Sequence, residues 1–172
     1  MNRYLYNLSI EILKLYPGQS KVRFAKLIYF LHKELVRSGL VNTKALSFVR
    51  MPLGPVPVDF MDLQNQEGII VSEQTTSLMY NSQVYNYSGS KSPNLSDSII
   101  SIVKSTLATL VQMSTSDLVE LSHQESSWKI YTNGYTFEIS DSDMLTVIPK
   151  GLKPISENDS SLQEKLVSGM LS

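Results

Sequence analysis

Cysteine is absent from the 172 residues. That excludes disulfides and thiolate metal sites and points to a reducing compartment. Only two histidines are present, His32 and His123, and neither has a partner at the spacing of His-pair metal signatures such as H-E-x-x-H. The eight glycines are scattered, so no phosphate-cradling loop can be read, and no G-x-S-x-G elbow occurs. No stretch approaches the ~20 apolar residues of a membrane span. The N-terminal segment does not read as a signal peptide, because Asn7, Glu11 and Lys14 interrupt it. Charged side chains reach only 18%. These absences leave a soluble, cytoplasmic protein as the expectation, with no cofactor, no metal and no catalytic residue.

Apolar residues make up 42% of the chain, enough for one core. The pattern predicts a mostly helical α+β domain over residues 1–150 with one small antiparallel sheet. A polar C-terminal tail, residues 151–172, could form a short docking helix through Leu162, Leu166 and Met170. Leu5, Leu8, Ile12 and Leu15 recur at helical spacing up to Pro17-Gly18. Ser20 caps a second predicted helix whose stripe is Phe24, Leu27, Ile28, Leu31 and Leu35, with Lys26, Lys33 and Arg37 opposite and Gly39 ending it. Residues 45–51 read as a strand and 58–67 as a short helix. Residues 69–73, 78–80 and 83–87 read as further strands, with Asn81-Ser82 a hairpin turn. After a polar stretch at 88–96 comes a helix over 97–110, lined inside by Ile99, Ile100, Val103, Leu107 and Leu110. Ser114 and Asp117 form a capping box for a helix ending at Leu121. Asn133-Gly134 suggests a hairpin joining 129–132 to 135–139, and Ser140 with Asp143 opens a last short helix.

Charge is unevenly spread. Residues 1–60 carry nine Lys or Arg against three acids, and residues 61–148 three against ten. The basic third could face nucleic acid through Lys26, Lys33 and Arg37, although that helix lacks the Asn or Gln that read base edges. More simply, the two halves could pair inside one fold. His32, at the edge of an apolar stripe, reads as structural. His123 reads as a hydrogen-bond partner for backbone near Trp128, and a small hydrolase centred on His123 and Asp143 is the weakest reading. Asp141 and Asp143 fit the first turn of a helix, where negative charge meets the dipole. Nine tyrosines suit a contact surface; Tyr80, Tyr85 and Tyr87 could equally cover one sheet face.

Three blocks then stand out. They are KLIYFLHKEL with Lys26, Tyr29 and Phe30, the turn RMPLGPVPVDFMDL with Arg50, Pro52, Gly54 and Pro55, and LSHQESSWK with His123 and Trp128. Prolines 52, 55 and 57 remove three backbone donors and fix three φ angles. In order and spacing the blocks resemble the Panacea (SocA-like) antitoxin domain, a phage-associated prokaryotic family, over roughly residues 20–147. His32 stands where that pattern has an acidic residue, and residues 69–96 are longer and more strand-like.

The resemblance implies a non-enzymatic component of a toxin–antitoxin system. Its partner would be a protein toxin encoded by an adjacent gene and neutralised by occlusion, with a protease as a second partner in part of the family. Contact with the toxin is expected at Arg50, Pro52, Gly54, Pro55, Tyr85 and Tyr87, while Lys26, Tyr29, Phe30, His123 and Trp128 hold the scaffold. Nucleic acid and membrane are not expected partners.

Overall fold

Asn2 sets the first helix going, taking the Leu5 N–H on its Oδ1 at 3.0 Å. Helix α1 (Arg3–Leu15) runs from there to the Pro17-Gly18 break, where Gly18 takes a φ of 77°. The computed structural model describes residues 1–75 and 81–148. Strand β1 (Gln19–Ser20) leads directly into α2 (Lys21–Arg37), and Ser20 caps α2 as expected. At the other end Leu40 N–H bonds Leu35 C=O and Gly39 N–H bonds Val36 C=O, with Gly39 at φ 76°. That pair of bonds is the Schellman arrangement.

Helix α2 is the axis of the fold. Twelve of its residues are buried, including the expected stripe but also Lys26, His32 and Lys33. It packs against α1 and β1, and against the strands and helices described next. Burial on every side corrects the one-sided amphipathic reading. The polar residues of α2 face a second layer of protein.

Strands β2 (Phe48–Val49) and β3 (Val56–Pro57) flank the proline turn. The strand expected at 45–51 is thus shorter, because Thr43–Ala45 is a 3-10 turn capped by Asn42. The helix expected at 58–67 is a 3-10 helix, Phe60–Asn65. Strands β4 (Ile69–Thr75) and β5 (Asn81–Tyr87) pair antiparallel, Thr75 opposite Asn81 and Gln74 opposite Ser82. Asn81 and Ser82 therefore lie in a strand and are not the hairpin turn. The strand expected at 78–80 and the tail 151–172 lie outside the described residues.

Helix α3 (Asp97–Leu110) falls where its periodicity put it, burying Val103, Leu107 and Leu110, while Ile99 and Ile100, expected on the same inner face, are only half-buried. Ser114 and Asp117 form the expected capping box of α4 (Thr115–His123). Arg23 of α2 fixes the loop between them, donating to the Met113 and Val111 carbonyls at 2.7 and 3.0 Å. Helix α5 (Ser126–Ile130) and strand β6 (Thr136–Phe137) replace the hairpin expected at 129–139. Residues 129–130 are helical, and β6 pairs across the chain with β2, Phe48 opposite Phe137. Ser140 and Asp143 do cap a final 3-10 turn, Asp141–Leu145.

The result is a helical α+β fold with two three-stranded antiparallel sheets, ordered β1-β5-β4 and β3-β2-β6. One apolar cluster joins both sheets to the helices through Phe24, Tyr29, Phe48, Phe60, Tyr85 and Phe137. No described helix is long and apolar enough to cross a membrane.

Candidate functional site

The turn between β2 and β3 is rich in carbonyls and short of N–H groups, since proline occupies 52, 55 and 57. Buried carbonyls need donors, and its own backbone supplies one, Gly54 N–H to Met51 O at 2.9 Å. The rest come from far along the chain. Lys26 Nζ donates to Pro55 O at 2.6 Å. Trp128 Nε1 donates to Met51 O at 2.9 Å. His123 Nε2 lies 2.9 Å from Pro52 O, and a carbonyl only accepts, so the proton sits on Nε2. All three blocks singled out in the sequence therefore meet at one turn.

Packing around the turn is tight. Gly54 has a φ of 99°, and a β-carbon there would come within 2.2 Å of Ser122 Oγ and 2.8 Å of Lys26 Cε. Only glycine meets both requirements. Trp128 stacks on His123 at 3.9 Å and 20°, and the Arg50 guanidinium lies 3.8 Å from the same ring. Two groups that close take opposite faces, which makes a three-layer stack. Arg50 Nε also donates to Trp128 O at 3.2 Å, and Nη1 bonds Asn133 Oδ1.

Beneath the turn lies a buried polar network. Lys26, Tyr29 and Lys33 stand at i, i+3 and i+7, one face of α2. Glu125, at the start of α5, receives the Tyr29 hydroxyl at 2.7 Å and the Lys33 ammonium at 2.6 Å. Lys33 also reaches Thr146 O at 2.6 Å. Asp143 takes the Ser127 N–H and hydroxyl at 2.8 and 2.6 Å and the Ser140 N–H at 2.8 Å. The last 3-10 turn is thereby tied to α5.

Burial governs the titration of these groups. It pushes Lys26 down to about 7. It lowers Lys33 and raises Glu125, each opposed by the other's charge. His123 is lowered, first by burial and against the Pro52 hydrogen bond, so the neutral ring is favoured. His32 is pushed to about 4 by burial and shares a hydrogen bond between Nδ1 and the Tyr4 hydroxyl at 3.2 Å.

These positions correct the basic-face reading. Lys26 and Lys33 are 0% and 1% exposed, while Arg37 donates to the Met144 and Thr146 carbonyls at 3.0 and 3.1 Å. Most of the charge surplus in the first third is spent on carbonyls inside the fold. The hydrolase reading also loses its geometry, because His123 is committed to Pro52 and Asp143 to Ser127 and Ser140. Among the described residues no group of three His, Asp or Glu side chains could hold a metal ion.

A family model described as antitoxin SocA-like, Panacea domain, matches residues 24–129, well over half of the chain. The chain belongs to that family. No curated protein and no solved structure matches it. The matched span of this Panacea domain opens within α2 and closes just past Trp128, so it contains all three blocks.

Of the residues expected at a partner surface, Arg50, Pro52, Gly54 and Pro55 sit together on the turn. Pro52 is exposed and Arg50 half-buried, but Gly54 and Pro55 are buried. The carbonyls of residues 51, 52 and 55 are engaged internally rather than offered outward. Tyr85 lies on the other sheet, in the core between Phe24 and Phe60. Its hydroxyl has no partner among the described residues. Tyr87 is half-buried on that sheet, boxed by Gly68 and Gly89. Phe30 packs edge-on against Tyr29 at 5.2 Å.

Sequence reasoning missed the Lys33–Glu125 pair. The signal was the spacing of Lys26, Tyr29 and Lys33, three polar groups sharing one face of α2. It also missed Tyr131 and Tyr135, read there as strand residues.

Proposed function

We propose that this Panacea domain neutralises a protein toxin by occlusion, presenting the clamped proline turn and its surroundings as a stiff platform over the toxin's active site. One observation carries the reading: each of the three blocks, far apart in sequence, spends its hydrogen-bonding groups on one turn. Membership of an antitoxin family supplies the class of partner. A preorganised loop loses little conformational entropy on binding, and a specific interface of about 1,200–2,000 Å² in total is within reach of a surface of 8720 Å².

In this reading the domain contributes no catalytic step, works in the cytoplasm and pairs with the product of an adjacent gene; delivery of the toxin to a protease is a further role. Arg50 and Pro52 are its contact residues on the turn, with Tyr87 on the neighbouring sheet. Gly54, Pro55 and Tyr85 act from beneath by holding shape. Co-expression with the neighbouring gene product, tagged, should yield a stoichiometric complex that survives size exclusion. Elution of the two proteins apart would refute the reading.

A further inference from the structure

One exposed patch extends outward from the groups that hold the turn. Ile130 is 67% exposed and Tyr135 50% exposed. Tyr135 stacks on Tyr131 at 4.2 Å and 13°, and Tyr131 stacks in turn on Phe137 at 5.6 Å. Residues 134–135 are fastened to Arg50 by two backbone bonds, Arg50 N–H to Tyr135 O and Gly134 N–H to Arg50 O, both 2.8 Å. The Arg50 side chain reaches Asn133 and lies on Trp128. Arg50, Trp128, Tyr131 and Tyr135 are therefore tied into one pre-ordered surface, with exposed Ile130 beside Tyr131 at the end of α5.

We infer that this surface binds an extended segment of a partner polypeptide that carries a carboxylate beside an apolar side chain. Tyrosine, tryptophan and arginine are the residues that most often dominate binding energy at interfaces, and stacked rings lose little freedom when covered. The carboxylate follows from Arg50. Its Nε and Nη1 hold Trp128 O and Asn133, while Nη2 has no partner among the described residues. A fixed guanidinium with one nitrogen free favours an anion. Lys129, exposed on α5, adds a second cation. The exposed acids nearby are Glu138, next to Phe137, and Glu120 on α4. Two cations flanked by two acids make a poor track for a nucleic-acid backbone, which needs a continuous basic groove, and favour a polypeptide. The toxin of the proposed function is the natural owner of such a segment, so the biological identity of the ligand rests on that reading; the surface itself does not.

Trp128 is the only tryptophan in the chain, so emission excited where tyrosine does not absorb reports this surface. Displayed random peptides are selected on the wild-type protein, with the Ile130→Asp/Tyr135→Ala variant as counter-selection. Both substitutions are at exposed positions, and melting curves verify the fold. Enriched peptides should pair Asp or Glu with an aliphatic or aromatic residue and shift Trp128 emission. They should lose about tenfold or more in affinity, roughly 1.4 kcal/mol, to either single variant and to Arg50→Gln. No enrichment over the counter-selection, or enriched peptides without a carboxylate, overturns the inference. So does equal quenching by oligouridine, or self-association abolished by Tyr135→Ala, which would assign the patch to RNA or to a second copy of this chain. A toxin complex that forms equally with both surface variants sinks the inference and leaves the antitoxin reading standing. Peptide binding without any toxin complex does the reverse.

Discussion

Lys33 donates to Glu125 at 2.6 Å, and their side chains are 1% and 0% exposed. A buried ion pair stabilises little compared with a well-packed apolar pair, but losing one partner strands the other charge. Glu125→Ala or Lys33→Ala should each cost about 3–5 kcal/mol in urea unfolding. The double variant Lys33→Met/Glu125→Leu should cost less than either. Losses of the Lys33→Met and Glu125→Leu singles that simply add in the double would show that the two groups do not interact.

Gly54→Ala tests the clamp from the other side. The added methyl meets Ser122 Oγ and Lys26 Cε at a φ of 99°, so backbone strain and overpacking act together. A loss of about 2–6 kcal/mol is expected from thermal unfolding, the sum of two effects of about 1–3 kcal/mol each. Gly39→Ala has nothing within 4 Å of the new carbon and carries only the backbone term. It should cost clearly less.

Lys26 has a carbonyl for a partner and no carboxylate, and burial lowers it to about 7 from the 10.5 of a free lysine. Between those values the unfolded chain holds the proton and the folded chain does not. The unfolded state therefore binds more protons, and stability rises with pH across that window, by up to about 1.4 kcal/mol per unit. Lys26→Met should flatten the slope measured by urea unfolding between about pH 7.5 and about pH 9. An unchanged slope would place the titration elsewhere.

Trp128→Phe keeps a ring between His123 and Arg50 but leaves Met51 O without its indole donor. Since that carbonyl retains the Gly54 N–H, a loss of only about 1 kcal/mol is expected. Trp128→Ala also removes the stack and should cost about 3–5 kcal/mol. Equal losses in the two variants would mean that the stack contributes nothing.

Much of this is legible in the sequence. Ser20, Ser114, Asp117 and Ser140 announced their helices because capping is local chemistry, and the apolar periods of α1, α2 and α3 placed those helices. The proline turn drew attention for its missing donors, and those missing donors are what the distant side chains supply. Long-range pairing was not legible. Strands β2 and β6 are two residues each, too short for a period-2 pattern, and exist because Phe48 and Phe137 meet across the chain. The run 129–139 looked like a hairpin from its turn residues, but Ser127 bonded to Asp143 holds its first part helical. The face of Lys26 and Lys33 looked solvated because lysine usually is; its acceptors lie 29 and 92 residues away.

The central claim is most directly tested by growth. Cells expressing the neighbouring gene alone should stop dividing, and co-expression of this chain should restore growth. Ile130→Asp/Tyr135→Ala, folded but altered at the surface, should restore it poorly. A neighbour harmless on its own, or toxicity that this chain does not relieve, would contradict the account.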